Sequence, residues 1–149
     1  MILSLAQLTT DTTLSTGVPW TIVTGSTPGR ARVMEIGMFV STVGATLTTI
    51  GIGRPAAVGI TPGGNVDFLP EDPADVVAAS VVQGALTWGT KPTAPTNYLR
   101  RVSLPLTVGT GAILTFPKGL VIAVSGNLVL YNATGNLGPV LNAHAVVDL

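Results

Sequence analysis

Arg32-Val33-Met34-Glu35-Ile36-Gly37-Met38-Phe39-Val40 decides the fold class. Met34, Ile36, Met38 and Val40 fall on one side of an extended chain, and Val33, Glu35, Gly37 and Phe39 on the other. This two-residue period belongs to a strand, not to a helix. Both sides carry apolar groups, so the strand is expected to lie inside a sheet with cover on each side. Working outward, the same alternation predicts strands at 20–24, 46–52, 80–88, 98–104, 112–116, 120–124, 127–131 and 140–147. In 46–52, Thr46, Thr48, Ile50 and Ile52 alternate with Leu47, Thr49 and Gly51. In 80–88, Val82, Gly84, Leu86 and Trp88 share one side. The last strand sets Leu141, Ala143, Ala145 and Val147 inward and Asn142, His144, Val146 and Asp148 outward.

Between these runs, eighteen glycines and eleven prolines break the chain every few residues. Pro117-Lys118-Gly119 and Ser125-Gly126 read as tight connections, and the second is expected to pair 120–124 with 127–131. Residues 55–79 form a long excursion, and Pro92 and Pro95 mark a second irregular link. Short strands joined by such unequal connections predict an all-β fold, a Greek-key or jelly-roll β-sandwich, with a Greek-key barrel as the rival. A helix over 75–86, with Asp75 as N-cap, stays open beside the strand reading, although Gly84 and the β-branched content weigh against it. Residues 1–18 differ from the rest. Ile2, Leu3, Leu5 and Leu8 precede a Thr-rich link, and no turn signal folds them back as a hairpin. The expected organisation is an extended N-terminal interaction arm at 1–18 and a single β-sandwich domain at 19–149. In this reading Ile2, Leu3, Leu5 and Leu8 form a partner-binding arm that adds a strand to a neighbour, while a frayed tail or an edge strand of the same sandwich stays open as the alternative.

Composition narrows the function classes. Seven basic and seven acidic side chains make up 9% of the 149 residues and cancel to zero net charge. An average soluble domain carries about 25%. Zero net charge leaves no electrostatic footprint for nucleic acid or an anionic membrane. The longest apolar stretches are broken well before the ~18–20 residues of a membrane helix. The apolar start lacks a preceding Lys or Arg and reads as a poor secretory signal. The absence of cysteine excludes disulfides and thiolate metal sites. A surface so poor in charge is expected to be covered in an assembly.

Side chains able to do chemistry are few. His144 is the only histidine, and it falls on the outward side of the last predicted strand. Glu71, Asp72 and Asp75 cluster in a loop stiffened by Pro70 and Pro73, without the spacing of a calcium loop. Glu35 is expected in a structural ion pair with Arg30, Arg100 or Arg101. The Arg100-Arg101 pair points to opposite faces of its strand and makes no patch. Gly51-Ile52-Gly53-Arg54 and Gly109-Thr110-Gly111 lack the lysine and helix of a phosphate loop. No catalytic residue, metal or cofactor is expected.

Several segments together carry a likeness. They are Arg30-Ala31-Arg32-Val33-Met34-Glu35-Ile36-Gly37, Ile52-Gly53-Arg54-Pro55, Pro70-Glu71-Asp72-Pro73, Trp88-Gly89-Thr90, Leu99-Arg100-Arg101-Val102 and Phe116-Pro117-Lys118-Gly119-Leu120-Val121. In these the chain resembles capsid decoration (cement) and related minor head structural proteins of tailed bacteriophages. The resemblance spans most of residues 20–149 and rests on overall texture. It implies a non-enzymatic virion protein on the capsid surface. Its implied partners are the major capsid protein and further copies of itself, as a homotrimer, with neither nucleic acid nor membrane. A receptor- or carbohydrate-binding module of a phage fibre or tail stays open as the alternative.

Overall fold

The computed structural model describes residues 1–9, 18–25, 30–134 and 137–149. Over these residues the chain forms strands and no helix. The strands are Ile2–Leu8 (β1), Trp20–Thr24 (β2), Ala31–Thr42 (β3), Thr48–Gly53 (β4), Ile60–Gly63 (β5), Val66–Asp67 (β6), Leu69–Pro70 (β7), Val82–Ala85 (β8), Thr87–Thr90 (β9), Arg100–Leu104 (β10), Gly111–Ile122 (β11), Asn127–Asn132 (β12) and Val140–Asp148 (β13). Two antiparallel sheets carry most of them. The first has the order β11-β3-β13-β1-β7 and the second β10-β4-β12-β2-β8-β6. The remaining two strands, β5 and β9, pair with each other. Of the eight strands of five residues or more, β1, β3, β11 and β13 lie in the first sheet and β2, β4, β10 and β12 in the second; along the chain each lies opposite the one before it except β10, which pairs with β4 in the second sheet.

The sheets enclose one core and form a sandwich. Leu3, Ile36, Met38, Leu141, Ala145 and Val147 from the first sheet meet Trp20, Ile22, Ile50, Ile52, Leu128 and Leu130 from the second. Each is at most 1% exposed, which places the most apolar residues where burial contributes most. The Trp20 indole N–H is satisfied inside this core, donating to Gln7 Oε1 at 2.7 Å. A β-bulge bends β3. Val146 pairs with Glu35 and Val147 with Val33, which leaves Met34 as the extra residue. The bulge shifts the alternation by one, so Val33 and Ile36 both point into the core.

A third layer covers the outer side of the second sheet. Ala85, Thr21, Val129 and Gly53 are direct neighbours across four strands of that sheet. They point away from the sandwich core, yet all four are buried. Trp88 of the β5–β9 pair donates its indole N–H to Thr21 Oγ1 at 3.3 Å. Pro95 lies on Gly53 and the Tyr98 ring on Gly51, where a Cβ would stand 2.3 Å from Tyr98 Cδ1. Small residues in the sheet therefore admit large ones from the Pro-rich link above it.

Four sequence expectations need correction. The first is the N-terminal arm. Ile2–Leu8 pairs antiparallel with β13 along its whole length and with β7 at Leu3 and Ser4. Thr9 extends the ladder, its N–H donating to Leu141 O and its hydroxyl accepting from Leu141 N–H. Residues 10–17 of the expected arm lie outside the described residues. Second, 112–116 and 120–124 are not separate strands around a turn. They are the two halves of β11, which pairs with β3 across an irregularity between Thr115 and Leu120. Gly119, at φ +68°, takes the left-handed turn that this irregularity needs. β11 and β12 accordingly sit in different sheets and do not form a hairpin. Third, 75–86 is not a helix: Val82–Ala85 is a strand paired with β2. Fourth, 80–88 is not one strand, because β8 and β9 belong to different sheets.

Candidate functional site

Among the described residues, none forms a layer over the outer side of the first sheet. Directly opposed residues of antiparallel strands share a face, so the register reads out this surface in rows. One row is Ile113, Gly37, His144 and Ala6. The next is Thr115, Glu35, Val146, Ser4 and Leu69. On the other side of the first row lie Gly111, Phe39, Asn142 and Leu8. Ile113 is 53% exposed, Leu8 55% and Leu69 67%, and Ile2 is also exposed. Phe39 and Val146 are half-buried. Such a set of large apolar groups on one broad face is what interaction surfaces show.

Two polar contacts mark this face. His144 Nε2 lies 3.2 Å from Glu35 Oε1, with both side chains about one-third exposed. The imidazole stacks on Phe39, with ring centres 6.4 Å apart and planes 13° from parallel. It sits directly over Gly37, where a Cβ would stand 1.9 Å from His144 Cε1. Any larger residue at position 37 would push the ring off its partner. At the end of the same strands the Met1 α-amino group lies 3.2 Å from Asp148 Oδ1. Beside the His144 row an open cleft of about 600 Å³ is lined by Ser4, Ala6, Val66, Asp67, Leu69 and His144.

The structure divides the four residues expected to bind a partner. Leu3 and Leu5 are 0% and 9% exposed and belong to the protein's own core. Ile2 and Leu8 share the open face. The expected partner of Glu35 is also corrected: it is His144, brought near by the β3–β13 register, and not Arg30, Arg100 or Arg101. Arg100 and Arg101 do point to opposite sides of β10, over the Phe116 ring at 5.8 Å and the Tyr98 ring at 5.6 Å. In the acidic loop, Asp72 Oδ1 accepts the Ala74 N–H at 2.9 Å, which closes a local turn. Nothing in the sequence singles out Leu69 or Ile113. Their side follows only from the pairing of β7 with β1 and of β11 with β3.

No protein-family model, no curated protein and no solved structure matches this chain.

Proposed function

We propose that the chain is a structural virion protein that assembles with copies of itself and decorates the outer face of a phage capsid, held there by the major capsid protein. The observation that carries this reading is the open face of the first sheet, with Ile2, Leu8, Leu69 and Ile113 exposed around Phe39 and Val146. Burying one Leu or Ile side chain contributes about 1.5–3 kcal/mol. Four such groups on a broad surface fit an assembly interface, because the centres of stable interfaces gather apolar side chains and deplete charge. The strand order supports the reading. β1-β13-β3-β11 facing β2-β12-β4-β10, with successive long strands on opposite sheets except for the paired β4 and β10, reads as a jelly roll. That architecture recurs in viral capsid proteins and also in lectins and cupins, so the surface rather than the fold carries the argument.

The test has two readouts. Light scattering at micromolar concentration is expected to give a multiple of the 15.1 kDa chain mass. Purified heads of the phage whose genome encodes the chain are expected to carry it down on sedimentation. A stable monomer that stays in the supernatant overturns the proposal. Retention on glycans or whole host cells without head binding would replace it with the fibre or tail reading.

A further inference from the structure

A second cleft lies at one end of the sandwich and contains none of the exposed apolar residues of the open face, Ile2, Leu8, Leu69 and Ile113. It forms where the end of β11 meets the segment after β4 and the start of β12. Its volume is about 420 Å³, and its lining includes Arg30, Arg54, Val58, Val121, Ala123 and Asn127. That size falls in the ~300–1,000 Å³ range of ligand sites.

Asn127 is the unusual group. It is 5% exposed, and neither its Oδ1 nor its Nδ2 has a hydrogen-bond partner among the described residues. Folded proteins rarely leave a buried amide wholly unpaired, because it has lost water and gained nothing in exchange. Two cations flank it. Arg54 donates from Nη2 to Val121 O at 3.0 Å, which fixes its guanidinium at the rim and leaves its other N–H groups available. Among the described residues, no carboxylate forms an ion pair with Arg54 or Arg30. The rest of the wall is apolar, with Pro55, Val58, Val121 and Ala123.

These groups specify a ligand by their chemistry. A planar guanidinium matches a carboxylate through two parallel hydrogen bonds. A side-chain amide, with one acceptor and two donors free, matches a peptide group, which offers both C=O and N–H. The apolar wall accepts a neighbouring side chain. We infer that this cleft binds an acidic peptide segment of a partner polypeptide. An Asp or Glu carboxylate meets Arg54 and Arg30, the adjoining peptide group pairs with Asn127, and an apolar neighbour rests against Val58 and Val121. The inference does not rest on the reading of the open face.

The experiment is a two-dimensional NMR titration of the full, isotope-labelled chain with acetyl-Ala-Val-Glu-Val-amide. Its Gln analogue and inorganic phosphate serve as comparisons. The acidic peptide is expected to shift the Asn127 side-chain and Gly126 backbone signals and to saturate. The Gln analogue is expected to bind at least about tenfold more weakly, the effect of losing one charge-assisted contact. Arg54→Gln and Arg30→Gln should each weaken binding by a similar factor. Arg30→Gln keeps the test decisive should loss of the Val121 contact unfold the other variant. Asn127→Leu should abolish binding while leaving the melting temperature equal or higher, since it replaces an unpaired buried amide with an apolar group of similar size. Three results would overturn the inference: no shift at millimolar peptide, phosphate binding as tightly as the peptide, or an Asn127→Leu variant that melts lower and still binds.

Discussion

Gly51 has no side chain, and Tyr98 occupies the space one would take. A Cβ at that position would meet the ring at 2.3 Å, far inside van der Waals contact. The ring is held in turn by Tyr131, at 6.4 Å between ring centres, and by the Arg101 guanidinium. Burial pushes the Tyr98 hydroxyl above its ordinary value of 10.0; the neighbouring Tyr131 adds to the rise, and Arg101 opposes it. The fold therefore favours the neutral phenol. This contribution to stability is fully present below pH 10 and is lost as pH rises through the raised value in the folded protein. Gly51→Ala should displace the ring, destabilise the domain by about 1–3 kcal/mol as overpacking does, and return Tyr98 towards its ordinary titration. Phenolate absorbance against pH, read with Tyr98→Phe as reference, checks the titration, and urea unfolding checks the stability. Gln7 gives a second test at this scale. Gln7→Leu removes the acceptor of the Trp20 indole and should cost about 1–3 kcal/mol in the same unfolding measurement.

Strands whose alternation is complete in themselves could be read from the sequence. β2, β10 and the inward side of β13 lie where the pattern of apolar residues places them. β1 could not be read so, because its partner is remote. Ile2 pairs with Asp148 and Leu8 with Asn142, so no local turn announces the pairing, and an apolar strand then resembles a free arm. β11 misled for the opposite reason. Pro117-Lys118-Gly119 is a sound turn signal, but here it forms an irregularity within a continuing strand. The buried position of β1 reverses what truncation should do. Leu3 is fully enclosed, so Leu3→Ala should cost about 2–5 kcal/mol as core deletions do. Removing residues 1–9 should abolish the cooperative thermal transition rather than merely weaken association, because β13 would lose its neighbour along the whole edge. Calorimetry of the truncated chain checks this, and an intact transition would restore the arm.

The two outer sides of the sandwich differ because of residue size. In the second sheet, Gly51, Gly53, Thr21 and Ala85 leave room for Tyr98, Pro95 and Trp88 to lie over them. In the first, Phe39, Val146, Ile113 and Leu69 stand on the outer side, and among the described residues no loop crosses them. The outward set Asn142, His144, Val146 and Asp148 was legible in the sequence as a row. Which sheet would stay open was not, since that depends on where the 55–79 excursion and the link with Pro92 and Pro95 pack. The accessible surface of 7056 Å² is about what a compact domain of this mass presents, so the open face is a local property and not a sign of loose packing. If association uses this face, charge placed on it should act differently from charge placed elsewhere. Ile113→Asp with Leu69→Asp alters two exposed side chains in the outer rows of the first sheet. Neither lies in the core, so folding should change by no more than about 0.5 kcal/mol per site, the usual range for surface substitutions. Association should weaken by at least about a hundredfold, since each carboxylate would have to be desolvated without a partner. Val76 and Leu106 are 87% and 50% exposed but lie in loops, outside the strands that make the face. Val76→Asp with Leu106→Asp is therefore the matched control and should leave association unchanged. Sedimentation velocity of the two double variants beside the original chain separates the outcomes. Equal loss in both pairs would mean that apolar exposure in general drives association, and no loss in the first pair would remove the open face from the interface altogether.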